Sequence, residues 1–211
     1  MIHIQSINLG QVQPLTDYHG ISFISAVAKR PTNNEILLTK TGIEGDSVAD
    51  THHHGGAERA LHLFSFEHYE FFNQQAETIL PIPAFGENIT LRGLTEKETR
   101  VGDILQIGTA QIQISQPTQR CRTMGRAIHQ KKLLKWIHMH YMTGVYARVL
   151  KEGRFSVRSK VRILQKGPSA LNVHYLNQQF FNANNLQLEA DRIEPFEELS
   201  ELWKHSLNKR L

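Results

Sequence analysis

Residues 103–115 read DILQIGTAQIQIS. Apolar and polar residues alternate on both sides of Gly108-Thr109, the period of a strand with one face buried. A glycine at the midpoint supplies the tight turn, so the stretch predicts two antiparallel strands, 103–108 and 110–115. The same signal recurs on either side. ISFISAVA (21–28) is rich in Ile, Val and Phe, and EILLTKTG (35–42) follows the turn residues Pro31 to Asn34. NITLR (88–92) is another short run, and Val145 to Leu164 reads as two strands with a turn near Glu152-Gly153. Many short strands at irregular spacing predict a mainly β barrel or sandwich carrying some helices.

Helices are fewer. Leu61, Phe64, His68 and Phe72 lie near helical spacing and predict a helix within Ala60 to Ala76, its beginning open to an extended form. Ile128, Leu133, Leu134, Ile137 and Tyr141 form an apolar stripe over Ala127 to Met142, and Gly144 can close it. Past Lys166 the pattern changes. Gly167-Pro168 breaks the chain, Ser169 can cap a helix to about Phe181, and a short helix is expected over Leu186 to Ile193. A longer helix is expected from Pro195 to Lys209, with Leu199, Leu202, Trp203 and Leu207 on one face. The expected organisation is a β domain over 1–166 and a small three-helix domain over 167–211.

With 211 residues, 40% apolar content and a mean hydropathy of −0.38, the chain has the composition of a soluble globular protein. No run of about 18 apolar residues is present, so no membrane span is expected. The N-terminus lacks a basic start followed by an apolar core, so it does not read as a secretory signal. Cys121 is the only cysteine, which fits a reducing compartment, most simply the cytoplasm. Charge is unevenly placed. Pro117 to Lys166 holds thirteen Lys and Arg against one acid, Glu152, leaving eleven bases against nineteen acids elsewhere. Such asymmetry points to an anionic partner: nucleic acid, a phosphorylated cofactor or an acidic protein surface. A plainly solvated face is the alternative.

Two stretches carry candidate chemistry. Residues 45–62 read GDSVADTHHHGGAERALH. If the segment is extended, His52 and His54 face one way and His53 the other. A closed zinc site would need further ligands, and the chain has no C-x-x-C or H-E-x-x-H motif, so a polar histidine loop is the alternative. Gly55-Gly56 can expose backbone N–H groups to an anion, and Arg59 adds a fork of donors. Asp46 and Asp50 can orient the histidines. The second stretch is SQPTQRCRTMGR (115–126), in which Cys121 stands between Arg120 and Arg122. Neighbouring cations favour a thiolate, the nucleophilic and metal-binding form. Small buried cysteines are also common.

These segments, in this order, resemble the MOSC domain family, named for the C-terminal domain of molybdenum-cofactor sulfurases. The matching motifs are GIEGDSVAD (42–50), HHGGAERAL (53–61), EHY (67–69), AFGENITLRGL (84–94), VGDILQIGTAQIQISQP (101–117) and Cys121. The chain is most similar to the bacterial subgroup linked to resistance against N-hydroxylated purines, in which a three-helix domain follows the MOSC domain. The resemblance implies a β-barrel-like fold and a molybdenum cofactor, molybdopterin with its phosphate. It implies Cys121 as the ligand to molybdenum. It places Asp46, His54, Gly55, Gly56, Arg59, Asn88 and Gln116 in motifs lining the family's cleft, and Lys29 beside the cofactor. Thr118 stands where the family commonly has arginine, and Arg120 where it commonly has proline. Arg120 or Arg122 stands nearby to supply the missing charge.

The function implied is an oxidoreductase: reduction of N-hydroxylated compounds such as hydroxylaminopurines, with Asp46 or His54 relaying protons and Cys121 on the metal. No G-x-G-x-x-G fingerprint is present, so electrons are expected from a separate protein, such as a flavoprotein reductase. Two alternatives stand beside it. One is a sulfur carrier with a persulfide on Cys121. The other is a nucleic-acid-binding module using the basic 117–166 segment, against which the sparse aromatics of that segment weigh. A homodimer is compatible with the sequence.

Overall fold

The computed structural model describes residues 1–182, 192 and 194–210. Thirteen strands dominate it: β1 (His3–Leu9), β2 (Gln13–Thr16), β3 (Ser22–Ser25), β4 (Arg30–Thr32), β5 (Ile36–Thr39), β6 (Gly42–Ile43), β7 (Leu61–Ser65), β8 (Ile89–Arg92), β9 (Ile104–Ile107), β10 (Ala110–Pro117), β11 (Val145–Lys151), β12 (Gly153–Phe155) and β13 (Val161–Gln165). Eight of them form one sheet in the order β13-β9-β10-β11-β7-β8-β1-β4. Every pairing is antiparallel except β7 with β8. A bridge between His3 and Lys160 brings β1 beside β13, so the sheet curls toward a barrel. The pairs β2-β3 and β12-β5-β6 form two smaller sheets.

The hairpin at 103–115 forms as its pattern dictates. Ile107 pairs with Ala110 across a two-residue loop, and Gly108 takes φ +57. A Cβ there would stand 2.4 Å from Arg154 O, so the close approach of β12 also requires glycine. Leu105, Ile107, Ala110, Ile112 and Ile114 point inward and are fully buried.

Several expectations are corrected. Of the stretch 60–76, residues 61–65 take the extended form that was left open for its beginning, not the helix. Lying between β11 and β8, β7 is buried at every position, polar His62 and Ser65 included, so both of its faces are covered. The helix that follows, α2 (His68–Ala76), is shorter than expected. The helix expected over 127–142 is two, α3 (Arg122–Ala127) and α4 (Leu133–His140), separated where His129 takes φ +57. Tyr141, not Gly144, holds the left-handed C-terminal position, at φ +58. Val145 to Leu164 contains three strands rather than two, and β1, β2 and β4 form where no strand is predicted. The three histidines are not extended: α1 (Thr51–His54) is a single helical turn capped by Asp50.

In the C-terminal region, α5 spans Val173–Asn182, and Asn172 rather than Ser169 caps it, accepting from Tyr175 N at 3.0 Å. The expected helix over Leu186 to Ile193 lies outside the described residues apart from Arg192. The C-terminal helix runs Glu201–Asn208, starting at the Ser200 cap rather than at Pro195. Leu202 faces outward, but Leu199, Trp203 and Leu207 are each 1% exposed. Together with Leu171, Val173 and Leu176 they pack into the same core as Ile107, Ile112 and Ile114 of the sheet. A second core, built from Phe64, Tyr69, Phe72, Phe85, Met124, Leu133 and Ile137, joins α2, α3 and α4 to the other side of β7. Phe64 and Phe85 stack there at 4.1 Å between ring centres.

Candidate active site

A cleft of about 320 Å³ opens between the β2-β3 hairpin, α1, the Phe85–Asn88 turn and the start of α3. Cys121, half-buried in its wall, occupies the position before the first residue of α3. Burial pushes its thiol up, but hydrogen bonds from His54, from the Thr123 side chain and from the Thr123 backbone outweigh it and bring it down to about 6. The sequence assigned this effect to the flanking arginines. In the structure Arg122 is exposed, and Arg120 is committed elsewhere.

Arg120 points into the protein. Its Nε donates to Thr143 O at 2.6 Å, one terminal nitrogen to Phe85 O at 2.9 Å, and the other to His62 Nε2 at 2.6 Å. His62 is buried on β7. Burial and the adjacent guanidinium hold its pKa well below the usual value, so the ring is neutral and its Nε2 accepts. Arg120 therefore meets only neutral acceptors.

Asp46, Lys29 and Asn88 form one cluster. Lys29 Nζ lies 2.5 and 2.7 Å from the two Asp46 oxygens. Gly10 N and Asn88 Nδ2 each donate to the same carboxylate at 2.7 Å. Gly10 has no side chain for a reason: a Cβ would stand 2.4 Å from Ala26 O and 2.9 Å from Lys29 Cγ. With four hydrogen bonds from three donors already on it, Asp46 is a positioning carboxylate, and the charge of Lys29 is largely offset. Asn88 also accepts from His62 N at 3.1 Å, tying the Phe85–Asn88 turn to β7.

His54 enters the cleft, its Nδ1 3.3 Å from Tyr146 Oη. His53 turns outward and pairs with Asp50 at 2.8 Å; His52 is exposed. Arg59 follows a tight turn in which Gly56 takes φ +96, and it donates to His53 O. The Gly55 N–H is already used by Thr51 O, so it is not free to meet an anion.

The structure thus brings Lys29, Asp46, His54, Gly55, Arg59, Asn88, Arg120 and Cys121 to one cleft. Gly56 and Gln116 are not in its lining. Gln116 is fully buried behind the wall, where it accepts from Ser200 Oγ at 2.6 Å. His62, Tyr146 and Thr123, which the sequence does not single out, also line the cleft, as does Thr118, noted there only as a departure from the family pattern. As inward positions of ordinary strands, His62 and Tyr146 carry no distinguishing signal; only its place beside Cys121 in the chain hints at Thr123.

What the cleft can hold follows from its unmet groups. Among the described residues, neither Arg59 nor Arg120 has a carboxylate partner. Arg59 Nε, Thr118 Oγ1 and Gln119 Nε2 are buried without a hydrogen-bond partner, and all three belong to lining residues. Buried cations and orphaned donors are costly unless something meets them, so the cleft suits an anion. No group of three or more His, Cys, Asp or Glu among the described residues is arranged to hold a metal ion. A metal at Cys121 would have to bring its other ligands with it.

Comparison with known proteins identifies the family. The MOSC domain description matches residues 50–163. The chain belongs to the MOSC domain family. It is 34% identical over 208 residues to the uncharacterized protein YflK of Bacillus subtilis, covering 98% of this chain and 93% of YflK. The crystal structure of YiiM from Geobacillus stearothermophilus matches with a TM-score of 0.82 and 29% identity, covering 100% of both chains. A Gibberella moniliformis protein described as a reductase is 27% identical over 176 residues, covering 80% of this chain but 30% of that protein. The MOSC family is associated with molybdenum-cofactor binding, and the residues of this cleft fit such a group: the unmet Arg59 Nε, with the buried charge of Arg120 behind it, for its phosphate, and a thiolate for a metal that carries its own sulfur donors.

Proposed function

We propose that this MOSC protein is a molybdenum-cofactor-dependent reductase of N-hydroxylated compounds, such as hydroxylaminopurines. The observation that carries the proposal is the meeting, in one cleft, of a thiol brought down to about 6 with two guanidiniums that have no carboxylate partner among the described residues. The fungal relative described as a reductase supports the reaction class.

When bound, the cofactor supplies a metal centre that exchanges oxygen and electron pairs with a substrate. Cys121 Sγ offers that centre a soft ligand. Arg59 and Arg120 offset negative charge, and Thr118 Oγ1 and Gln119 Nε2 supply donors. Ile24, Val27, Phe85 and Met124 line the cleft and can exclude water around a flat base. His54, between Cys121 and Tyr146, is the group suited to hold or move a proton near the sulfur. The overall change is R–NHOH plus two electrons and two protons giving R–NH₂ and water. The electrons come from a separate donor protein, for which a flavoprotein is the expected class.

The test is metal analysis and hydroxylaminopurine reduction with protein made in a host that produces the cofactor. Wild type should carry stoichiometric molybdenum and reduce the substrate. Cys121→Ala should stay folded and lose the reaction; unchanged reduction by this variant overturns the ligand role. The half-buried thiolate also favours a second reading, a persulfide carrier. As-isolated protein with a reducible extra sulfur on Cys121 and no molybdenum would favour it.

The basic segment offers less to a nucleic acid than its charge count suggests. Arg126 pairs with Asp17, Arg148 with Glu58 and Lys166 with Asp103, and Arg120 is buried on backbone carbonyls.

A further inference from the structure

The C-terminal helix does more than cover the sheet. Ser200 N donates to Ser115 O at 3.0 Å, and Ser200 Oγ donates to Gln116 Oε1 at 2.6 Å. The same hydroxyl accepts from Trp203 N at 3.2 Å, so it caps the helix and clasps β10 at once. Both partners lie within six residues of Cys121. A second link reaches the other arm of the cleft. Arg148 Nη2 donates to Glu198 O at 2.9 Å and to Glu58 Oε2 at 2.6 Å. Glu58 adjoins Arg59, and Glu58 O accepts from Ser115 Oγ at 2.6 Å. The network therefore joins the two chain segments that carry Arg59 and Cys121 to one another and to the segment 198–200. Gln116 is sealed from solvent, which leaves the clasp no competing water.

We propose that Ser200, Gln116 and Arg148 form a brace that sets the spacing of Arg59 and Cys121 across the cleft, making the C-terminal segment a positioning part of the binding site. They are positioning residues, since each acts through a neighbour. The proposal rests on the preceding reading only in taking Arg59 and Cys121 as the ligand-facing groups. A site held about 1 Å too loosely loses much of its affinity, so removing the brace alters binding while the cores remain.

The test uses the full chain as isolated, with inorganic phosphate as the probe. Two readouts are taken: phosphate affinity by calorimetry, and the alkylation rate of the sole cysteine by iodoacetamide. Gln116→Met and Arg148→Met should each weaken phosphate binding and change the alkylation rate, by about threefold or more in each case. Both should still unfold well above the assay temperature. Ser200→Ala should follow, and Ser200→Thr, which keeps the hydroxyl, should restore wild-type values. A merely structural role lowers the unfolding midpoint and moves neither readout. Wild-type affinity and alkylation in Gln116→Met and Arg148→Met would overturn the brace. Arg59→Met separates the two claims. Weakened phosphate binding there, with wild-type behaviour in both brace variants, overturns the brace alone. Unchanged binding in Arg59→Met overturns the anion-cleft reading, and the alkylation rates then decide the brace.

Discussion

The Lys29 ammonium lies 2.5 and 2.7 Å from the two oxygens of Asp46, with only 7% and 11% of the two side chains exposed. Removing one partner leaves a charge stranded in a nearly dry site. Lys29→Met is expected to destabilise the fold by about 3–5 kcal/mol, and Lys29→Met with Asp46→Asn by clearly less. Chemical unfolding of both variants checks this. Equal losses would mean that the pair is solvated.

Cys121 should titrate in the open cleft as an acidic thiol. Its iodoacetamide alkylation rate should rise with pH through a midpoint of about 6 and level off above it. His54→Phe removes one of the hydrogen bonds that hold the thiolate, and the midpoint should move up. A wild-type midpoint near the ordinary thiol value would contradict the arrangement.

Neutral His62 gives stability a pH dependence of known sign. Its folded pKa is depressed, so below its unfolded value the unfolded chain binds a proton that the folded one refuses. Stability present above about pH 6.5 is lost as pH falls from there toward the depressed folded value. Thermal melts from pH 7.5 to 5 should show this fall, and His62→Gln should flatten it. Parallel curves for the two proteins would count against the neutral ring.

Trp203 is 1% exposed and packs with Phe180 at 5.5 Å between ring centres. Trp203→Ala should cost about 3–5 kcal/mol, read by urea unfolding. Leu202→Ala, on the outward face of the same helix, should cost far less.

The sequence showed these features unevenly. The 103–115 hairpin was legible because alternation and a turn glycine agree. β7 was less so, since a strand covered on both faces need not alternate. The break at His129 was hidden because no Gly or Pro marks it; the left-handed residue is a histidine. Within the cleft, Cys121, His54 and Arg59 stood out through unusual neighbours. His62 and Tyr146 did not, because an inward polar residue on a strand resembles any other until the facing Arg120 or His54 is in place. Gln116 illustrates the opposite failure: beside Pro117 in the matching motif it looked like a ligand contact, and the fold turns it toward Ser200.

The Ser200–Gln116 clasp also orders events in time. Ser200 is translated after every residue that lines the cleft, so a nascent chain can complete its curled sheet and still lack the last fastening of the wall that bears Cys121.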